Sequence, residues 1–231
     1  MGPVTLVLFD IDGTLLLSHG SGRGAMSEAA DDLFGCPEMF DSISFAGAVD
    51  SGIVAIAMEA SGIPATGRRM GRIRKTYGRR LRRRLAACPG EVCPGVRRLV
   101  ADLQGRSRVG LLTGNWEESA RIKLDYHGLG ALFEGCVGAY GSDATQRNAL
   151  IPFAVRRARR RWSDIQRIIV VGDTPADIGC ARAGAAFFPD LEVLAVAVET
   201  GFATPEDLAA ATPDLQVPDL EQGREALLAL V

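Results

Sequence analysis

Four short apolar runs punctuate the chain: VTLVLF (Val4 to Phe9), RVGLL (Arg108 to Leu112), IIVV (Ile168 to Val171) and VLAVAV (Val193 to Val198). They are rich in β-branched residues, bounded by Gly, Asp or Thr, and apolar without alternation, the pattern of strands covered on both faces. Between the last three lie stretches of helical period, Glu117 to Tyr126, Asn148 to Arg161 and Ala176 to Ala183. Each suits a crossover between parallel strands, so the spacing predicts an α/β domain.

From about Leu16 to Cys88 the pattern changes to helical periodicity without a convincing strand, over Met26 to Phe34, Ser51 to Ala60 and Gly67 to Ala86. A small helical domain is therefore expected on the loop after the first strand, bounded by the glycine-bearing segment His19 to Gly24 and the CPGEVCPG segment around Pro89 and Pro94. This divides the chain into a core of residues 1–16 and 90–231 and an insertion of residues 17–89. The third predicted helix crowds Arg68, Arg69, Arg72, Arg74, Lys75, Arg79, Arg80, Arg82, Arg83 and Arg84 around a stripe of Met70, Ile73, Tyr77, Leu81 and Leu85. That arrangement reads as a buried stripe with a solvated basic face, and Arg156 to Arg161 reads the same way.

Composition narrows the class. The 231 residues are 47% hydrophobic and 23% charged, with a net charge of −2, so a sizeable core forms without staples and no overall charge favours nucleic acid. Five cysteines without a CxxC pair indicate neither a disulfide framework nor a zinc knuckle, and are expected to be reduced and mostly buried in a cytoplasmic protein. No apolar run approaches the ~18 residues of a membrane span. The start lacks a secretory pattern, and Leu6 after Met1-Gly2 stands where an acylation signal places Ser or Thr, so the mature chain is expected to be the whole chain.

The candidate chemistry sits at the ends of the predicted strands. LFDIDGTLL puts Asp10 and Asp12 two residues apart, so both carboxylates leave one face of extended chain, and Gly13 permits a sharp turn. Two acids this close call for a cation. LLTGNW offers the Thr113 hydroxyl and the Gly114 and Asn115 amides ahead of a helix, a weak oxyanion signal that helix capping would equally explain. VVGDTPADIG places Asp173 directly after a strand and Asp177 one helical turn on, a set suited to a hard divalent cation with oxygen ligands. A strand-ending turn needs only one Asp and leaves Asp12 unexplained; the second and third motifs each have an ordinary structural explanation alone, but not three together at strand ends in one chain.

The ordered set DxDGT, T-G-N and GDTPxD resembles the haloacid dehalogenase superfamily of hydrolases, over nearly the whole chain. The insertion resembles the helical cap of phosphoglycolate-phosphatase-like members, and CPGVRRLVADL resembles the usual re-entry into the core. The resemblance implies a doubly wound, mostly parallel Rossmann-like sheet with its site at the carboxyl ends of the strands. It implies Asp10 as a nucleophile forming an aspartyl-phosphate and Asp12 as general acid and then base. It also implies Mg²⁺ held by the Asp10 and Asp173 carboxylates and the Asp12 backbone carbonyl, with Asp177 in support.

Two departures from that pattern stand out. The resemblance expects a cation, usually Lys, before the last motif, and Arg147 is the stand-in for phosphate binding beside Thr113, Gly114 and Asn115. Related caps often read Gly-Arg-Thr-Asp where this chain reads Gly47-Ala48-Val49-Asp50. His19 and His127 read as hinge and helix-end residues. The expected function is Mg²⁺-dependent hydrolysis of a small phosphorylated metabolite, with no nucleic-acid or membrane partner and the oligomeric state open. A phosphomutase shares every core motif; a dehalogenase, a phosphonatase using Lys75 as an imine, and a non-catalytic phosphate-binding module are the remaining readings.

Overall fold

The computed structural model describes residues 4–231; Met1 and Gly2, where the acylation pattern was sought, lie outside them. Along the chain come β1 (Val4–Phe9), β2 (Leu16–Leu17), α1 (Ser21–Phe34), α2 (Asp50–Ala60), α3 (Gly67–Ala87), β3 (Glu91–Val92) and α4 (Val96–Gln104). Then follow β4 (Arg108–Leu112), α5 (Glu117–Tyr126), β5 (Val137–Ala139), α6 (Ile151–Arg161), β6 (Ile165–Gly172), α7 (Pro175–Phe187), β7 (Glu192–Val198), α8 (Pro205–Ala210), β8 (Leu215–Val217) and α9 (Arg224–Leu228).

The main sheet runs β5-β4-β1-β6-β7-β8, and every pairing in it is parallel. Strand order reverses at β1, so connections leave its two neighbours in opposite directions and a crevice opens at the carboxyl ends of β1, β4 and β6. Alternation along β1 feeds two core layers. Val7 and Phe9 pack with Leu99, Leu103 and Leu124 on one face, and Leu6 and Leu8 with Ile151, Val155 and Ile178 on the other.

The helical insertion leaves and re-enters the core through an antiparallel ribbon in which Leu16 faces Val92 and Leu17 faces Glu91. The segment expected as a hinge, His19 to Gly24, divides: His19 (φ 42°) and Gly20 (φ 79°) form the bend, while Ser21 to Gly24 already belong to α1. Tertiary packing of Ala25, Met26 and Ala29 overrides the poor helix propensity of the glycines. On α3 the expected apolar stripe is buried from Ile73 to Leu85, with Met70 only half-buried, and the basic face is not wholly solvated. Arg80 donates to both oxygens of Asp32 at 2.8 and 2.5 Å, and Arg84 to Glu28 at 2.5 Å, tying α3 to α1. Arg157 likewise pairs with Asp143 at 2.6 and 2.7 Å.

The cysteines depart from expectation. All five are free, but only Cys93 and Cys180 are buried, and Cys88 is exposed because it caps α3 beyond its last buried residue, Leu85. No helix among the described residues is long and apolar enough to cross a membrane.

The insertion does not close its own core. Its hydrophobic cluster includes Trp116 and Ile122 from the α5 region, with the Trp116 ring edge-on to Tyr77 at 5.7 Å and its Nε1 donating to Ser51 Oγ at 2.7 Å. Trp116→Ala should therefore lower stability by about 3–5 kcal/mol, the usual loss for a buried large aromatic. Urea unfolding checks this; a loss under 1 kcal/mol would show that the two lobes do not depend on that ring.

Candidate active site

The crevice gathers acids from two strand ends and one helix start. Asp10 follows β1, Asp173 follows β6, and Asp177 lies in the first turn of α7; one oxygen from each lies within 4.8 Å of the others, and all three side chains are buried. Gly13 makes this possible. It adopts φ 85°, and a Cβ there would stand 2.2 Å from Asp173 Oδ2. Asp173 is fixed by Thr14 Oγ1 at 3.2 Å and by the Phe202 N–H at 3.0 Å. Asp177 completes a capping box, its Oδ2 accepting from the Thr174 N–H and Oγ1.

Arg147 enters from the short turn before α6 and is buried. Its Nη2 lies 3.1 Å from Asp10 Oδ2, donates to Asp177 Oδ1, and reaches the Leu112 carbonyl at 3.1 Å. Its Nε is a buried donor without an acceptor among the described residues. Burial pushes the Asp10 carboxyl up to about 6; Arg147 opposes the shift and the Asp177 charge adds to it. Asp173 is likewise pushed well above the carboxylate range by burial and by Asp177 and Asp10. These are hard oxygen donors whose charges one guanidinium leaves incompletely balanced, so the set fits a small divalent cation.

The second motif is built differently from the sequence expectation. The Asn115 N–H, expected to face an oxyanion, donates to Thr113 Oγ1 at 3.3 Å, and the Thr113 N–H is used in the sheet by Ala139 at 3.0 Å. At the start of α5 the Trp116 N–H donates to Asp50 Oδ2 at 2.9 Å and the Glu117 N–H to Ser142 Oγ at 3.3 Å. The insertion thus supplies its own carboxylate to that helix N-terminus, where a negative charge is favoured. The Gly114 N–H and the Thr113 hydroxyl hydrogen remain for a ligand. Gly114 is itself pressed by the insertion: a Cβ would lie 2.0 Å from the Ala48 carbonyl, and its own carbonyl accepts from the Asp50 N–H at 2.8 Å.

Asp12 turns away from the other acids. Ser18 Oγ donates to its Oδ1 at 3.1 Å, and Lys123 Nζ donates to its Oδ2 and, at 3.1 Å, to Asn115 Oδ1. The Lys123 ammonium holds the Asp12 carboxyl below its ordinary value, overcoming the rise that burial alone would give. Sequence reasoning missed Lys123 and Asp50. The available signal was a lysine among Ala120, Ile122 and Leu124, on the buried side of α5, in a chain that otherwise uses arginine.

A cavity of about 340 Å³ lies above these groups, with Met26, Phe45, Ile53 and Tyr77 of the insertion as its far wall. Gly47, Ala48 and Asp50 line it as well, so the segment that lacks the expected arginine does overlie the crevice. Lys75 is exposed on α3 and is not among the lining residues. His19 and His127 lie at the insertion's hinge and at the end of α5, as their sequence contexts indicate.

Asp50 gives this junction a pH signature. Burial raises its carboxyl to about 6, with Lys123 and the Trp116 N–H opposing the rise. The unfolded value is about 3.9, so between about pH 4 and 6 the folded chain binds the extra proton and this group's contribution to stability falls as pH rises. Asp50→Asn should remove that slope, leaving a parent-minus-variant difference in urea midpoint that changes across the window. A constant difference from pH 4 to 7 would show that Asp50 does not titrate in this way.

The chain matches the family model described as haloacid dehalogenase-like hydrolase over residues 4–184, and a second model, HAD-hydrolase-like, over residues 147–223. No curated protein sequence matches it. Among solved structures it is similar to a hydrolase from Pseudomonas syringae, with 18% identity, both chains covered in full and a TM-score of 0.70. It is also similar to a predicted phosphoglycolate phosphatase from Haemophilus somnus, with 19% identity, full coverage of both chains and a TM-score of 0.66. CbbY from Rhodobacter sphaeroides in complex with phosphate is a third, with 16% identity, 96% of each chain covered and a TM-score of 0.68. At these identities the structures establish the fold; with the family match spanning most of the sequence, the chain belongs to the haloacid dehalogenase-like hydrolases.

Proposed function

We propose that the chain is a Mg²⁺-dependent phosphatase that hydrolyses a small phosphomonoester, phosphoglycolate-like or a sugar phosphate, through an aspartyl-phosphate on Asp10. The observation that carries this reading is the buried meeting of Asp10, Asp173 and Asp177 with Arg147 at a strand edge beneath a small cavity. A dehalogenase has no use for a proton-transferring Asp12 or for a metal-binding Asp173.

The Asp10 and Asp173 carboxylates and the Asp12 backbone carbonyl would hold the metal. Asp177, with its oxygens engaged by Arg147 and Thr174, supports from behind. Mg²⁺ bound there supplies the positive charge that lets a carboxylate approach a phosphate dianion. An Asp10 oxygen attacks phosphorus, the bond to the ester oxygen breaks, and Asp12 gives that oxygen its proton. Water then attacks the aspartyl-phosphate while Asp12 takes a proton from it, which releases inorganic phosphate and restores Asp10. Arg147, the Thr113 hydroxyl and the Gly114 N–H stabilise the equatorial oxygens as charge builds. The insertion excludes bulk water and limits the size of the leaving group.

A panel of sugar phosphates, phosphoglycolate and nucleotides assayed for phosphate release tests the reading. Release is expected with Mg²⁺ and its loss with excess chelator; full activity in chelator, or isomer formation in place of phosphate release, would overturn it. Asp10→Asn should abolish turnover while the fold persists by circular dichroism. Arg147→Ala should lower kcat/KM by about 10² or more, as removal of a charged transition-state contact does. A near-silent Arg147→Ala would move the phosphate-binding role to another cation.

A further inference from the structure

Lys75 and Lys123 are the only lysines among 26 Lys and Arg residues, and Lys123 is the one at the site. Its side chain is 3% exposed, and Asp12 is its only carboxylate within 4.0 Å among the described residues. The ammonium lies under the first turn of α1, where a Cβ on Gly22 would stand 3.7 Å from Nζ and 3.7 Å from the Tyr77 hydroxyl. A compact ammonium fits this corner, whereas a planar guanidinium needs more room and presents a fork rather than a point.

Asp12 therefore has one donor on each oxygen. Ser18, in the bend beside the ribbon, holds Oδ1 at 3.1 Å, while Lys123, on α5 of the core, holds Oδ2. Lys123 is in turn fixed by Asn115 Oδ1 at 3.1 Å. The Asp12 carboxylate stands at the start of a turn, partly exposed, held by Ser18 and Lys123 with the Asn115 side chain also beside it. Without the ammonium Oδ2 loses its charged anchor and the carboxyl can turn about the Ser18 contact, and proton transfer weakens as it leaves hydrogen-bond reach of the ester oxygen.

We propose that Lys123 is a positioning residue that acts through Asp12, clamping one oxygen so that the other faces the leaving group. The inference rests on the phosphatase reading and adds a residue that no motif assigned. It predicts a dependence on the leaving group. An alkyl phosphate must expel an alkoxide and needs the proton from Asp12, whereas p-nitrophenyl phosphate expels a stabilised anion and does not.

The test compares kcat/KM for glycerol 1-phosphate and p-nitrophenyl phosphate at saturating Mg²⁺, in the parent chain, Lys123→Met, Asp12→Asn and the double variant. Lys123→Met should lose about 10²-fold on the alkyl ester, within the range for removing general-acid catalysis, and no more than about five-fold on the aryl ester. In the Asp12→Asn background the same substitution should cost less than about three-fold, because the group it positions is already disabled. Lys123→Gln, which keeps an N–H donor without the charge, should show the same selectivity at smaller amplitude; it carries the test if the methionine variant does not fold. Equal losses on the two esters, or full additivity with Asp12→Asn, would overturn the inference while leaving an active parent enzyme as a phosphatase. A parent chain that hydrolyses neither ester would overturn the phosphatase reading and this inference with it.

Discussion

Mutual repulsion among Asp10, Asp173 and Asp177 is the constraint around which the rest of the crevice is organised. Each lies at a strand end or helix start, burial disfavours the charge of Asp10 and Asp173, and the three oxygens share a space 4.8 Å across. The protein tolerates this by assigning the acids unequal surroundings. Asp177 is absorbed by a capping box and a guanidinium, and Asp173 by a hydroxyl and a backbone N–H. Among the described residues Asp10 is left facing the cavity with Arg147 as its cationic neighbour, which suits the nucleophile proposed for it.

The two cations of the crevice divide the work according to their shapes. Arg147 meets Asp10, Asp177 and the Leu112 carbonyl through Nη2, joining the end of β1, the third motif and the end of β4. A lysine offers only a point charge, whereas the Arg147 guanidinium keeps Nε and Nη1 beyond the Nη2 contacts as further donors beside the crevice. Lys123 does the converse on the opposite side, where a compact head between Asp12 and Asn115 links the first and second motifs.

The parts of this arrangement that were legible in the sequence are those written by neighbours in the chain. The strands Val4–Phe9 and Arg108–Leu112 were read to the residue because uninterrupted apolar runs with sharp polar edges define them. Asp10 and Asp173 were legible as acids directly after an apolar strand, and Asp177 as an acid one helical turn beyond Asp173. The three-residue strands Val137–Ala139 and Leu215–Val217 and the ribbon of Leu16–Leu17 with Glu91–Val92 are too short to carry a period. Their existence depends on a sheet edge or a partner already in place. Asp50 and Lys123 were illegible for a related reason: one bonds across 66 positions to Trp116 and the other across 111 to Asp12. The Asn115 amide, read as a free N–H at a helix start, instead donates to the Thr113 hydroxyl two residues back, a local bond that spacing alone does not reveal.

The hydrophobic cluster that the insertion shares with Trp116 and Ile122 has a thermodynamic consequence. A lid with a complete core of its own could melt or swing as an independent body, and the chain would then unfold in two steps. Here the lid cannot lose its packing without uncovering α5, whose Ala120 and Leu124 belong to the core beneath the sheet. Disorder in either lobe therefore propagates through one helix into the other, and the two-segment core and its insertion unfold as a single cooperative unit.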